Sequence, residues 1–534
     1  MSRARPSGRR AAGFVFVSAA IALSAAAASA DPAKPEFLVV PGNTVELDGN
    51  AMGYGHGADL DGNGTDELVP APGSFPAQQK AKLPVIRWTG STFKDKRKAY
   101  LPGTLKSDAF TDIVAEDFNR DGLSDLYIGA FGWDADPFPG SRDFLLIQKP
   151  GGGLKDMSAQ VSGKATTTAS VVAGDINKDK YPDLFVITLN TEPDKATHVL
   201  LNKGNGKFAL KRKLINPDYA EPAGSAALSS AAIVDVDRDG WNDLVVGRED
   251  GLYVGVYLND KGSFRKPAPD FTLPDLAHGP GSSNPLAIQP VDFNHDGYVD
   301  LIIFSAQWPD YAGFSLQAFR NKKGKAFKDV TASVFKGSSL VRTNLAGLDR
   351  LRPVDFYGDG LTDFIATQER GPQSTSIVFV NTGDGRFVEH DWSFFRTEQG
   401  HGHRSIIPAD IDGDGRVDIV TPYLIEEGAP STYRIEAFLN QGVAASDIKA
   451  KPQITTGPAK QAVKAGDRLH LSVLTAGDRP FSYRWFKNGK KLKGETGPAL
   501  SLGKAKASDA GKYHVKVSNA AGSAKSGKAK VTVK

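Results

Sequence analysis

The chain has 534 residues with 57 Gly, 32 Pro and no Cys, and carries a formal net charge of +4. That length allows at least two domains with sizeable cores, and the lack of Cys excludes disulfides as staples even in an oxidising compartment. Frequent Gly and Pro without long helical periodicity exclude a mainly helical reading and point to many short strands joined by turns.

The amino terminus reads as a bacterial-style export signal. Arg3, Arg5, Arg9 and Arg10 form a positive start, Ala11 to Ala28 is an Ala-rich apolar stretch, and Ala28-Ser29-Ala30 is a small-residue cleavage site before Asp31. Ala12 and Gly13 follow Arg9-Arg10 where a twin-arginine signal wants bulkier apolar residues, so the general secretory route is favoured. Cleavage after about Ala30 leaves a secreted or periplasmic protein with no membrane span.

A short strand, Phe37-Leu38-Val39-Val40, is followed by a nine-residue loop of the form D-x-[DN]-x-D-G-x-x-D that recurs seven times, beginning at Asp59, Asp117, Asp175, Asp235, Asp292, Asp355 and Asp410. The offsets are 58, 58, 60, 57, 63 and 55 residues, a period that marks a repeat architecture. Carboxylates at positions 1, 3, 5 and 9 with glycine at position 6 suit Ca²⁺, a hard cation that takes oxygen ligands from a tightly curled loop. An EF-hand opens in the same way but closes on a Glu at position 12 between helices. Here position 9 is acidic and strand-like residues follow, as in Leu244-Val245-Val246 and Leu301-Ile302-Ile303, so the loop joins two strands.

The copies differ in quality. Copy four (Asp235, Asp237, Asp239, Asp243) and copy seven (Asp410, Asp412, Asp414, Asp418) have four Asp, while copy two (Asp117, Asn119, Asp121, Asp125) and copy five (Asp292, Asn294, Asp296, Asp300) exchange one for Asn. Copy three (Asp175, Asn177, Asp179, Asp183) has Lys180 where the glycine belongs, and copy six (Asp355, Asp359, Asp363) has Tyr357 at position 3. Copy one (Asp59, Asp61, Asn63, Glu67) ends on a longer ligand, with Asp66 as a competitor for Glu67. Up to seven sites are expected, the weakest in copies three and six.

The motifs A-D-L-D-G-N-G-T-D-E-L (58–68), E-D-F-N-R-D-G-L-S-D-L (116–126) and V-D-F-N-H-D-G-Y-V-D-L (291–301) resemble FG-GAP/VCBS repeats, the family of the integrin α-subunit propeller blades. The resemblance implies an all-β fold, a seven-bladed calcium-binding β-propeller over residues 31–448 with one blade per copy. A second echo, as in L-N-K-G-N-G-K-F (201–208) and V-N-T-G-D-G-R-F (380–387), reads as a hairpin ending in a buried Phe. After copy seven the hairpin has no Phe, so the strand 37–40 is expected to supply the outer strand of the last blade.

Residues 449–534 form a different unit. Trp485 in Y-R-W-F-K-N-G and S-D-A-G-K-Y-H-V-K-V-S-N (508–519) resemble an I-set immunoglobulin-like domain. The resemblance places Val473 and Val515 where the family usually has two Cys, Tyr513 at a tyrosine corner and Trp485 in the core. From Pro452 onward there are 17 Lys or Arg against 4 Asp or Glu, about +13. With the four signal Arg removed the mature chain has 65 − 4 = 61 basic against 61 acidic residues, so the propeller holds about −13. The basic domain suits an anionic cell-envelope polymer more than nucleic acid, and a solvated Lys-rich surface is the plainer reading.

If the calcium loops share one rim of the propeller, the loops between second and third strands share the other. Two of these, at 132–140 and 307–313, carry Trp133, Asp134, Asp136, Phe138, Trp308, Asp310 and Tyr311, a set that can stack on and hydrogen-bond a sugar or simply fill gaps between blades. His56, His278, His401, His403 and Arg404 offer the alternative of a polysaccharide lyase or hydrolase. No nucleophile elbow, His-metal signature or phosphate loop is present. The favoured reading is a non-catalytic binding or adhesion module for a glycan or a cell-surface protein.

Overall fold

The computed structural model describes residues 33–48, 51–52, 55–73, 80–133, 138–161, 164–190, 195–212, 228–248, 254–264, 272–273, 282–307, 312–336, 341–346, 348–368, 377–391, 406–426 and 430–534. The signal segment lies outside them. The fold is all-β, and no helix among the described residues is long and apolar enough to cross a membrane.

Seven antiparallel sheets run along the chain before the C-terminal domain, each built round one copy of the loop; six have four strands, and the fifth has an extra strand, Val341–Ala346. Sheet two is representative: Phe110–Glu116, Asp125–Ala130, Phe144–Gln148 and Leu154–Asp156 pair in sequence order. The loop joins the first and second strands, and its position 9 opens the second, as in Asp125–Ala130, Asp183–Thr188, Asp243–Arg248, Asp300–Gln307 and Asp363–Gln368. Sheet seven contains Ile407–Ala409, Asp418–Glu426 and Ser431–Gly442, and its fourth strand is Glu36–Leu47 from the start of the chain. Phe37 pairs with Asn440 and Leu47 with Ser431, so the strand reaches seven residues beyond Val40.

The second strands are apolar without alternation because both faces of each sheet are buried. In sheet five, Leu301 and Ile303 pack with Val245 and Val256 of sheet four, whereas Ile302 and Phe304 pack with Phe364 and Phe379 of sheet six. The same division continues through the chain, and it joins the two ends. Ile419 of sheet seven packs with Ile365 of sheet six, and its neighbour Val420 packs with Leu68 and Ile86 of sheet one. First strands of sheets one to six line a cavity of about 380 Å³ that includes His56, Asp112, Glu116, Gln289 and Arg352.

One buried acid ties two sheets together. Asp143 accepts hydrogen bonds from Ala130 N at 2.8 Å and Tyr127 OH at 2.8 Å in sheet two, and from Thr168 Oγ1 at 3.0 Å in sheet three. Burial pushes its pKa from 3.8 up to about 6 despite those donors. Ionisation therefore costs the folded chain more than the unfolded one. The penalty is absent below about pH 4, grows as pH rises towards 6, and then stays constant at roughly 3 kcal/mol. Asp143→Asn can keep all three contacts by reversing the two hydroxyls. Urea unfolding should show the variant gaining on the parent by that amount between pH 4 and 7; parallel pH profiles would rule the assignment out.

The C-terminal domain is an immunoglobulin-like sandwich. Ser482–Lys487, Gly511–Asn519, Ala529–Val533 and Gln461–Val463 lie in one sheet, and Leu469–Ser472 pairs with Ala499–Leu502 opposite. Trp485 is fully buried beside Val473 and Val515, and its Nε1 donates to Gly497 O at 3.0 Å. Tyr513 OH donates to Asp509 O at 2.7 Å, which is the tyrosine corner. The two valines fill the space with packing instead of a disulfide.

Candidate metal centres

All seven loops adopt one curl, and backbone dihedrals define it. Position 6 is left-handed throughout, at Gly64, Gly122, Lys180, Gly240, Gly297, Gly360 and Gly415, with φ between 75° and 88°. Position 4 is left-handed too, at Gly62, Arg120, Lys178, Arg238, His295, Gly358 and Gly413. Two left-handed residues in alternation turn successive N–H groups inward. The position 6 N–H donates to one carboxylate oxygen of the position 1 Asp in every copy, from 2.7 Å at Gly360 to 3.1 Å at Gly240. The position 7 N–H donates to the side chain at position 5, as in Leu123 to Asp121 at 3.0 Å and Tyr298 to Asp296 at 2.9 Å.

Position 9 has two duties. Its carboxylate accepts the position 2 N–H of its own loop in every copy but the fifth, as in Val236 to Asp243 at 2.8 Å, and in copies two to seven it accepts the N–H of an Asn or Gln near the end of the third strand, as in Asn259 to Asp243 at 2.8 Å. These buried carboxylates are pushed up to about 7 at Asp125, Asp183, Asp243 and Asp418 and to about 8 at Asp300, chiefly by burial. Neighbouring loop acids push the same way. Asp300 is fully buried, and its Oδ2 has no hydrogen-bond partner; Asp61 Oδ1 and Asp235 Oδ1 are equally orphaned. Carboxylate oxygens lie within 4.8 Å of one another in Asp59, Asp61 and Glu67, in Asp235, Asp237 and Asp239, and in Asp410, Asp412 and Asp418. Convergent, partly orphaned oxygens with raised pKa values fit a hard divalent cation.

The copies depart from one another in instructive ways. In copies two and three the Asn at position 3 turns its amide to position 5, Asn119 to Asp121 and Asn177 to Asp179, both at 2.9 Å. In copy one Arg87 sits 2.6 Å from Asp61, and Tyr100 OH donates to both Asp61 and Glu67 at 2.9 Å. Asp66 does not approach Glu67's role. It accepts the Asp410 N–H at 2.9 Å and so fastens loop one to loop seven. In copy six Arg479 of the C-terminal domain enters the loop and meets Asp355, Asp359 and Asp363.

Lys180 holds φ of 75° where the other copies have glycine. A left-handed non-glycine residue costs about 1–2 kcal/mol, part of which glycine's greater unfolded freedom returns. Lys180→Gly should stabilise the folded chain by about 1 kcal/mol in urea unfolding. A loss of stability would mean that the lysine side chain, not the backbone, decides the position.

Several site residues carry no obvious signal in the loops. The Asn of the hairpin echo is one. Asn321 Nδ2 donates to Val299 O at 3.0 Å beside its own loop and to Val236 O at 2.8 Å in the preceding loop. Asn202, Asn259 and Asn440 reach the preceding loop likewise, at Phe118 O, Ile176 O and Phe356 O. The hairpin Phe is less uniform than expected: Phe387 is buried, whereas Phe208, Phe264 and Phe327 are half-buried. A cationic position 4 also stacks on an aromatic position 7 of the next loop, Arg120 on Tyr181, Lys178 on Trp241 and Arg238 on Tyr298 at 4.8–5.7 Å.

Among the aromatics suggested for a sugar, Trp133 is half-buried and Phe138 is exposed. Asp134, Asp136, Trp308, Asp310 and Tyr311 lie outside the described residues, as do His278, His401, His403 and Arg404. His56 lines the cavity, where burial pushes its pKa down to about 4.

Comparison with known proteins agrees with this architecture. Residues 235–303 and 355–421 match the FG-GAP-like repeat, and residues 451–519 match the immunoglobulin domain. The chain therefore carries FG-GAP-like repeats followed by an immunoglobulin domain. It is similar to Cartilage acidic protein 1 of Mus musculus, 21% identical over 441 residues that make up 80% of this chain and 57% of that protein. It is also similar to Hemicentin-2 of Mus musculus, 36% identical over 76 residues, and to Muscle M-line assembly protein unc-89 of Caenorhabditis elegans, 29% identical over 155 residues. Those matches cover 14% and 24% of this chain and 2% of each relative. Among solved structures, tandem Ig repeats of Dlar align with 32% of this chain and 88% of that one at 17% identity, with a TM-score of 0.15.

Proposed function

We propose that the chain is an exported, non-catalytic binding or adhesion module. In this reading residues 1–30 direct export, residues 31–448 form a seven-bladed β-propeller loaded with calcium, and residues 449–534 are an immunoglobulin-like domain carried on it. The observation that carries the proposal is the recurrence of one loop curl, with the position 6 N–H on the position 1 carboxylate in all seven copies. Shared cores that run from sheet to sheet, including between sheets seven and one, support the propeller. The side chains at positions 1, 3, 5 and 9 of a loop would hold Ca²⁺, which would supply charge neutralisation and a fixed loop shape. FG-GAP-like repeats and an immunoglobulin domain together favour adhesion over catalysis.

The partner in this reading is a glycan or a cell-surface protein. A second contact, with an anionic cell-envelope polymer, is supported by Lys512, Lys528 and Lys530 around a 690 Å³ cavity in the C-terminal domain. A glycan array and a cell-surface pull-down, each run with calcium and with chelator, test the proposal. Reversible, calcium-dependent capture is expected, whereas release of unsaturated or shortened oligosaccharides would show an enzyme instead.

A further inference from the structure

We infer that the sixth loop is not a calcium site: Arg479 is its resident cation, and it docks the C-terminal domain onto the repeats. The inference deepens the proposed calcium reading, since it assigns one loop of the series a different occupant.

The guanidinium takes up the oxygens that the loop would otherwise offer a metal. Nη2 donates to Asp359 Oδ1 at position 5 at 2.6 Å and to the position 7 carbonyl of Leu361 at 3.1 Å. Nε donates to Asp359 Oδ2 at 2.9 Å, and Nη1 donates to Asp363 Oδ1 at position 9 at 2.5 Å and to Asn381 O at 2.9 Å. Asp355 at position 1 stands 3.6 Å away. All five guanidinium donors are engaged when both Nη2 contacts are counted, and Arg479 is fully buried. Calcium at the same oxygens and this side chain cannot coexist.

The loop's own departure from the pattern fits an arginine. Tyr357 stands at position 3, where it supplies no carboxylate, but its ring lies under the guanidinium, 4.1 Å from centroid to Cζ. A planar cation stacks on an aromatic face and forks to carboxylates, neither of which a calcium ion does. The residue that weakens a metal site is therefore one wall of an arginine site.

The contact is also an interface. Phe481 N donates to Asp359 Oδ2 at 3.1 Å and Thr475 N to Gly383 O at 2.9 Å, while Leu361 of the loop lies in the core cluster of the C-terminal domain. Gly383 permits that approach, since a Cβ there would sit 2.6 Å from Thr475 O. Beside it, His470 Nε2 meets His295 O at 3.2 Å in loop five, and Arg468 stands 3.7 Å from Asp235 in loop four. Loops four to six thus carry the domain, with Arg479 as its anchor.

The test counts bound calcium per chain in the full protein after equilibration with calcium and removal of free metal. Asp355→Asn should leave the count unchanged, because the loop holds no calcium to lose, and Asp235→Asn in loop four serves as the control that lowers it by one. A fall by one in Asp355→Asn would overturn the inference, while a parent with no calcium at all would instead refute the calcium reading. In parallel, Arg479→Met should raise the radius of gyration in solution scattering as the domain leaves the repeats, and an unchanged radius would overturn the docking role. If that variant does not fold, limited proteolysis of Asp359→Asn near residues 446–452 reads the same interface: faster cleavage than in the parent is expected, and equal rates contradict it.

Discussion

Chelation of divalent cations should lower the melting temperature of the full protein by on the order of 10 °C or more, the largest effect expected here. Each site held at a free calcium concentration about 100 times its Kd adds about 2.7 kcal/mol to folded stability by mass action, and the loops act together on one array of sheets. Removal has a second cost. It returns convergent carboxylates such as Asp235, Asp237 and Asp239 to mutual repulsion, with burial already holding Asp243 at about 7. Calcium should restore the transition, and magnesium less fully, because it prefers a smaller octahedral shell and gives up water reluctantly. Scanning calorimetry with and without EDTA measures it; superimposable traces would mean that the curl is held by its N–H bonds alone.

Arg479→Met should destabilise the chain by about 3–5 kcal/mol, more than any other single surface or loop change. The figure reflects what the substitution leaves behind. Asp359 and Asp363 are buried in the parent, and without the guanidinium their charges have no counter-ion and only backbone N–H donors. Burial, joined by repulsion from Asp359, already raises Asp363 to about 7 against the pull of Arg479. Lysine should not rescue the loss, since it cannot fork to Asp359 or stack flat on Tyr357. Guanidinium unfolding of the three proteins is decisive: equal midpoints for parent and Arg479→Lys would contradict a role that depends on the planar fork.

The acidic face of the loops was legible in the sequence because carboxylates recur at positions 1, 3, 5 and 9, and because the period repeated. Position 4 was not legible. Gly62, Arg120, Lys178, Arg238, His295, Gly358 and Gly413 share only a positive φ, which a residue type does not declare. Asn202, Asn259, Asn321 and Asn440 were visible as an echo but read as turn residues, because their inter-loop bonds join residues 83–85 apart. Arg479 was the least visible. Tyr357 announced a defect in copy six, yet the side chain that fits the defect comes from another domain, 120 residues from Asp359. In the immunoglobulin-like domain the resemblance sufficed, since Trp485, Tyr513, Val473 and Val515 all pack where an I-set domain would place them.

We propose that calcium fills every curled loop of the folded chain except the sixth. Elemental analysis of the purified full protein, dialysed against calcium and then against metal-free buffer, tests it most directly. Several tightly held calcium ions per chain are expected, and at most six, one for each loop except the sixth. Protein that retains no calcium under those conditions would contradict it.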